Sequence, residues 1–158
     1  APTEQCPWRQ KRLQGEVHDE NAWALGGVAP HSGLFGTIDD LSKWILKLRQ
    51  VVKDIDTNFL ISPATIEMFM RRAVSQDVGD FSLGFMMKSQ KDSTCGQFFS
   101  KHSVGHTGFT GTSFWYDPEA DLIVTILSNR VFYGRDKGVE FKKLRQFIHD
   151  EIYKGLVQ

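Results

Sequence analysis

The densest chemical grouping in this chain is Gly105-His106-Thr107-Gly108-Phe109-Thr110-Gly111, set between Ser103-Val104 and the run Thr112-Ser113-Phe114-Trp115-Tyr116. His106 offers an imidazole that can donate or accept a proton and Thr107 a hydroxyl, while Gly108 lacks the Cβ that would hold a ligand off the backbone. A polar triad of this kind, where one strand turns straight into the next, can bring a side chain and a main-chain N–H to one reacting centre. Alone it is a weak pattern. The same three glycines would shape an ordinary tight hairpin with His106 as a plain strand histidine.

His18-Asp19 with Asn21 is a second polar cluster. Asp and Asn readily hydrogen-bond the backbone of their own loop, and that local role is the preferred reading of these residues. A metal site built from His18, Asp19, His102 and His106 is rejected, because positions 102 and 106 would stand about 13 Å apart on one extended strand.

The elements that must position these groups follow from periodicity. Residues 1–36 are rich in Gly, Pro and polar side chains without helical or strand period, which predicts an extended, irregular segment. Thr37-x-x-Asp40 is a capping-box start, and Ile38, Leu41, Trp44, Ile45, Leu48, Val51 and Val52 follow at helical spacing as a core face. Ser62-Pro63 opens a second helix to about Arg72, with Ile66, Phe69 and Met70 on its apolar side. From Phe81 to Met87 the period changes to two and predicts a strand. After a polar connection, Phe98 to Ser100, His102 to Gly108, Thr112 to Tyr116 and Leu122 to Ser128 read as further strands, antiparallel by their short links. Phe141, Leu144, Phe147, Ile148, Ile152 and Leu156 then form one helical stripe that would lie on that sheet. The fold class is α+β: an antiparallel sheet with a C-terminal helix packed on it.

Composition excludes several functions. The 19 basic residues balance 19 acidic ones, and no basic stripe is interleaved with aromatics, so nucleic acid is not an expected partner. The apolar runs are too short for a transmembrane segment. Cys6 and Cys95 permit one disulfide or two thiols, and no C-x-x-C spacing suggests a metal.

Taken with Gly15-Glu16-Val17-His18-Asp19-Glu20-Asn21-Ala22 and the block Gly26 to Thr37, the His-Thr-Gly strand pair resembles the serine β-lactamase-like hydrolases, which include class C β-lactamases, D-alanyl-D-alanine peptidases and esterases. The resemblance runs through nearly the whole chain. It implies one portion of a β-lactamase-like domain, with residues 1–36 as an extended loop and 37–158 as helices, sheet and C-terminal helix. It also implies an acyl-enzyme mechanism on an amide, ester or β-lactam carbonyl, a small-molecule or peptidoglycan-like substrate, no cofactor, and a periplasmic or cell-envelope setting.

By the same resemblance, His106 and the backbone N–H of Phe109 are the catalytic elements, the latter as an oxyanion donor. Thr107, Gly108 and Thr110 would contact substrate, and the loop carrying His18, Asp19 and Asn21 would pass the cleft. His106 stands where many relatives have Lys, which makes the general class of serine hydrolase a firmer expectation than β-lactamase itself. The family's Ser-x-x-Lys is absent from the 158 residues, and Tyr116, Tyr133 and Tyr153 precede Pro118, Arg135 and Gly155 where Tyr-x-Asn would require Asn. The expectation is therefore a C-terminal portion, inactive alone, whose missing N-terminal half or another chain supplies the nucleophile and covers exposed core. The alternative is a non-catalytic binding module that keeps the fold without the nucleophile.

Overall fold

The structure, a computed structural model, describes residues 1–55 and 58–157. Residues 1–36 are not irregular throughout. They contain β1 (Gln5–Cys6), β2 (Lys11–Arg12) and α1 (Glu20–Ala24). Elements of two and five residues are too short to show a period, and they form through local satisfaction instead: β1 and β2 pair antiparallel, and Asp19 caps α1 by accepting from Ala22 N at 2.8 Å.

Thr37 starts α2 (Ile38–Val52) as its sequence predicts. Thr37 Oγ1 accepts from Asp40 N at 3.2 Å, and Asp40 Oδ2 accepts from Thr37 N at 2.9 Å, which satisfies two end donors reciprocally. Ile45, Leu48 and Val51 bury its inner face, whereas Ile38 and Trp44 of the expected core stripe stay partly exposed. α3 (Pro63–Met70) follows from the Ser62 cap and Pro63 at its first position, and Ile66 packs with Leu48 and Val51.

The sheet is smaller than the period-two runs suggest. It comprises β3 (Met86–Met87), β4 (Val104–Thr107), β5 (Ser113–Asp117) and β6 (Leu122–Ile126), all antiparallel in sequence order. Phe81 to Phe85 is a tight turn bridged at Phe81 and Met86, and Gly84 at φ +111° takes a conformation that a strand residue would avoid. Phe98 to Ser100 is no strand either. Phe99 is buried there, and Ser100 N donates to Asp117 Oδ2 at 2.6 Å rather than to a sheet neighbour.

Alternation within the strands divides the core between two layers. Met87, Val104 and Tyr116 meet Ile45 of α2 on one face, and Trp115 and Val124 meet Cys95 and Phe99 on the other, with Ile152 and Tyr153 of α4 (Gly138–Val157) against them. Cys6 and Cys95 are buried free thiols, and burial pushes Cys95 up to about 11.

The C-terminal helix packs on the sheet as expected, but only part of its apolar stripe, Ile152 among it, faces the core. Leu144, Phe147 and Leu156 are exposed, while Arg145, His149 and Asp150 are buried. Beside the apolar contacts of Ile152 and Tyr153, α4 meets backbone groups needing partners. Arg145 Nη2 donates to Gly111 O at 3.1 Å and Asp150 Oδ1 accepts from Gln97 N at 2.7 Å. Those carbonyl and amide groups select polar side chains for the helix face over them.

Candidate active site

The β4–β5 hairpin is built on the register His106 opposite Phe114 and Thr107 opposite Ser113. Beyond it, Gly108 N donates to Thr112 O at 2.8 Å and Gly111 N to Gly108 O at 3.0 Å, which reverses the chain over residues 108–112. This loop is anchored from behind: Ser128 Oγ donates to Gly111 O at 2.7 Å, and Arg130 N to Thr110 O at 2.8 Å. The Phe109 N–H donates to no group among the described residues.

Gly108, Phe109 and Thr110 line a cavity of about 390 Å³ together with His18 and Asp19. Five of the eight residues singled out in the sequence thus meet at one place. His106 and Thr107 lie on β4 outside that lining, His106 exposed with Nδ1 3.0 Å from Thr107 O, and Thr107 Oγ1 3.5 Å from the Met86 sulfur. Asn21 is exposed in the first turn of α1. His102 precedes β4 and sits 3.7 Å from Glu119, so it does not share a strand with His106 as the sequence suggested. Among the described residues no three His, Cys, Asp or Glu side chains are grouped to hold a metal ion.

Of the two central glycines, Gly105 answers packing within the chain, and Gly108 lines the cavity. A Cβ on Gly108 would stand 2.2 Å from Thr112 Oγ1, and one on Gly105 would stand 2.3 Å from Phe114 O. The β5 backbone leaves no room for a side chain at 105, whereas at 108 the obstacle is the end of the Thr112 side chain, the next atom standing 3.6 Å away.

The His18-Asp19 cluster does two things at once. Asp19 caps α1, and the Ala22 N–H holds its carboxyl below the usual range, with His31 Nε2 3.4 Å away as a smaller influence. His18 turns to the cavity, its ring stacked on Phe109 with centroids 5.7 Å apart and planes 23° from parallel. Behind it lies Glu4, only 3% exposed, whose Oε1 is 3.2 Å from His18 Nε2 without the alignment of a hydrogen bond.

Glu4 is neutralised chiefly by Arg135, which donates to Oε2 at 2.9 Å from Nε and to Oε1 at 2.5 Å from Nη2. The same Nη2 reaches Glu20 Oε1 at 2.7 Å. These bonds hold both carboxyls below their ordinary values against the opposing effect of burial, and raise the guanidinium's own. Sequence reasoning missed Glu4, Glu20 and Arg135. Glu4 and Arg135 are 131 residues apart, and nothing local in either segment marks the pairing.

An α+β unit with helices on both faces of an antiparallel sheet, turning through His-Thr-Gly at a cavity, is a partial β-lactamase-like fold. The fold is shared with a beta-lactamase from Mycobacterium bovis at a TM-score of 0.62 and 22% identity, over 78% of this chain and 45% of that one. The chain belongs to the beta-lactamase family, whose model matches residues 1–147. It is 36% identical over 128 residues to a putative D-alanyl-D-alanine carboxypeptidase of Salmonella gallinarum, and 35% identical to one of Salmonella paratyphi B. Each match covers 77% of this chain, and the chain spans only 28% of the length of these relatives.

Proposed function

We propose that this chain carries the His-Thr-Gly side of a serine hydrolase active site that acts through an acyl-enzyme. The observation that carries the reading is the Phe109 N–H, which has no partner among the described residues and belongs to a residue lining the cavity. In the reaction a serine hydroxyl adds to the substrate carbonyl carbon and the C=O electron pair moves onto oxygen. The Phe109 N–H stabilises that oxyanion while the lysine of the serine's own Ser-x-x-Lys takes the serine proton. As the C=O re-forms, the bond to the leaving group breaks and that proton passes to it, and water then cleaves the ester to release the acid and restore the serine hydroxyl. The serine comes from a Ser-x-x-Lys outside these 158 residues, so the 158-residue chain alone forms no acyl-enzyme. The names of the Salmonella relatives support a peptide ending in D-alanyl-D-alanine as the substrate class. Exposed Leu34, Phe35 and Leu60 support further polypeptide packing on this unit.

Labelling of the full-length gene product with a fluorescent penicillin and a fluorophosphonate, followed by peptide mass spectrometry, tests the reading. The labelled serine is expected outside the 158 residues. A labelled serine inside them, or no acylation by a β-lactam, an ester or a D-alanyl-D-alanine peptide, overturns it. Phe109→Pro removes the N–H while leaving the chain continuous, and should slow acylation by about 10²- to 10³-fold.

A further inference from the structure

We infer that Arg135 is a positioning residue for the Phe109 N–H, acting through the Phe109 ring, with Glu4 and Glu20 holding the guanidinium in place. The inference deepens the proposed hydrolase reading and rests on it for its catalytic consequence.

Phe109 is 52% exposed and lies at the tip of a turn, where a ring would ordinarily move freely. Here three groups bear on it. The His18 imidazole stacks on the ring, the Arg130 guanidinium carbon is 4.7 Å from its centroid and that of Arg135 is 5.3 Å away.

None of the three is free to drift. Arg130 donates from Nη1 to Arg135 O at 3.2 Å, and His18 lies against buried Glu4. Arg135 is fixed most firmly, by two bonds to Glu4 and one to Glu20, a planar fork that lysine could not reproduce.

Glu4 thus joins two of the ring's contacts, touching His18 through one oxygen and holding Arg135 through both. A carboxylate so deeply buried needs such partners. What this arrangement immobilises is the residue whose N–H is the candidate oxyanion donor. An oxyanion donor works by being aimed before the charge develops, so order at this one peptide translates into rate.

The test uses the full-length gene product uniformly labelled with 15N, so that the amide at position 109 is read in every variant, and has two independent readouts. In the native protein the Phe109 amide order parameter is expected near the rigid value of about 0.85, and in Arg135→Ala it should fall toward about 0.6. Phe109→Ala should lower its own position's order equally, and Arg135→Lys should resemble Arg135→Ala. The acylation rate constant for a chromogenic ester should drop about tenfold in Arg135→Ala with KM changed less than twofold. The double variant Phe109→Ala/Arg135→Ala should be no slower than the slower single one, because both act through one ring.

Unchanged order at position 109 in Arg135→Ala overturns the inference, as does an additive double variant. If Arg135→Ala does not fold, Arg135→Lys and Phe109→Ala carry the same comparison. If the native protein never acylates, the hydrolase reading fails, while the order parameters still decide whether Arg135 restrains this peptide.

Discussion

Gly105 lies so close to the Trp115 indole that a Cβ on it would stand 2.5 Å from Cδ2 and 2.3 Å from Phe114 O. Trp115 is fully buried, and Phe114 O belongs to the β5 backbone, so neither can withdraw. Gly105→Ala is therefore expected to destabilise the fold by about 3 kcal/mol, the upper end of what overpacking costs. Thermal and urea unfolding of the variant beside the native protein measure this. A loss under about 0.5 kcal/mol would mean that β4 and β5 part more easily than their ladder suggests.

His149 predicts a pH dependence. It is fully buried against Phe99, with ring centroids 5.4 Å apart, and its Nδ1 lies 2.7 Å from Arg145 O. Desolvation depresses its folded pKa below the ordinary value, outweighing the backbone bond that favours protonation. Above about pH 6.5 both folded and unfolded chains hold this imidazole neutral, and its contribution is complete. As pH falls below that, the unfolded chain binds a proton that the folded one refuses, and stability is lost until the folded pKa is reached. Urea midpoints of the native protein should decline between about pH 6.5 and 5, and His149→Gln should flatten this decline. An identical slope in both proteins would assign it to other groups. Below about pH 4.5 both proteins should lose stability further as Glu4, held down by Arg135, takes its proton.

The contrast between α2 and α4 shows what the sequence made legible. Thr37 and Asp40 satisfy one another across three residues, and the helix start is readable because its cause is local. At α4 the helix itself was readable from spacing, but the polar part of its buried face was not. Arg145, His149 and Asp150 are selected by Gly111 O, by the Phe99 ring and by Gln97 N, and no periodicity in residues 138–157 encodes those distant partners. The candidate site divides in the same way. The hairpin at Gly108 to Thr110 follows from its turn residues, whereas the Glu4–Arg135 pair behind His18 exists only once β1 and the loop before α4 have come together.

Asp121 ties α2 to the β5–β6 turn. Arg49 Nε donates to its Oδ1 at 2.6 Å, Arg49 Nη2 bonds Oδ2, and Lys53 Nζ is 2.8 Å from Oδ2. Those donors, Arg49 first, pull its carboxyl far below the ordinary range. All three side chains are partly open to solvent, so the net worth is modest despite that shift. Asp121→Asn keeps a residue that tolerates the φ of +54° at this position while removing the charge. It should cost about 1 kcal/mol at low salt, and the difference should shrink by at least half in 1 M NaCl. A loss that ignores salt would place the effect in turn geometry instead.

His106 separates a role in reaction from a role in folding. It is exposed on β4, opposite Phe114, and its Nδ1 lies 3.0 Å from the neighbouring Thr107 carbonyl oxygen. Replacing it by Ala removes no core packing and leaves no buried group unpaired, so unfolding should shift by under about 0.5 kcal/mol. If the imidazole helps orient substrate in the full-length gene product, the same variant should slow acylation by about tenfold or more. His106→Asn, which keeps a hydrogen-bonding side chain of similar reach, should recover part of that loss, while His106→Ala should not. Stopped-flow acylation with an ester and a β-lactam, run beside thermal melts, distinguishes the outcomes. Equal acylation rates with equal melting temperatures in native protein and His106→Ala would leave His106 a surface strand residue and place substrate orientation wholly with the loop at Gly108 to Thr110.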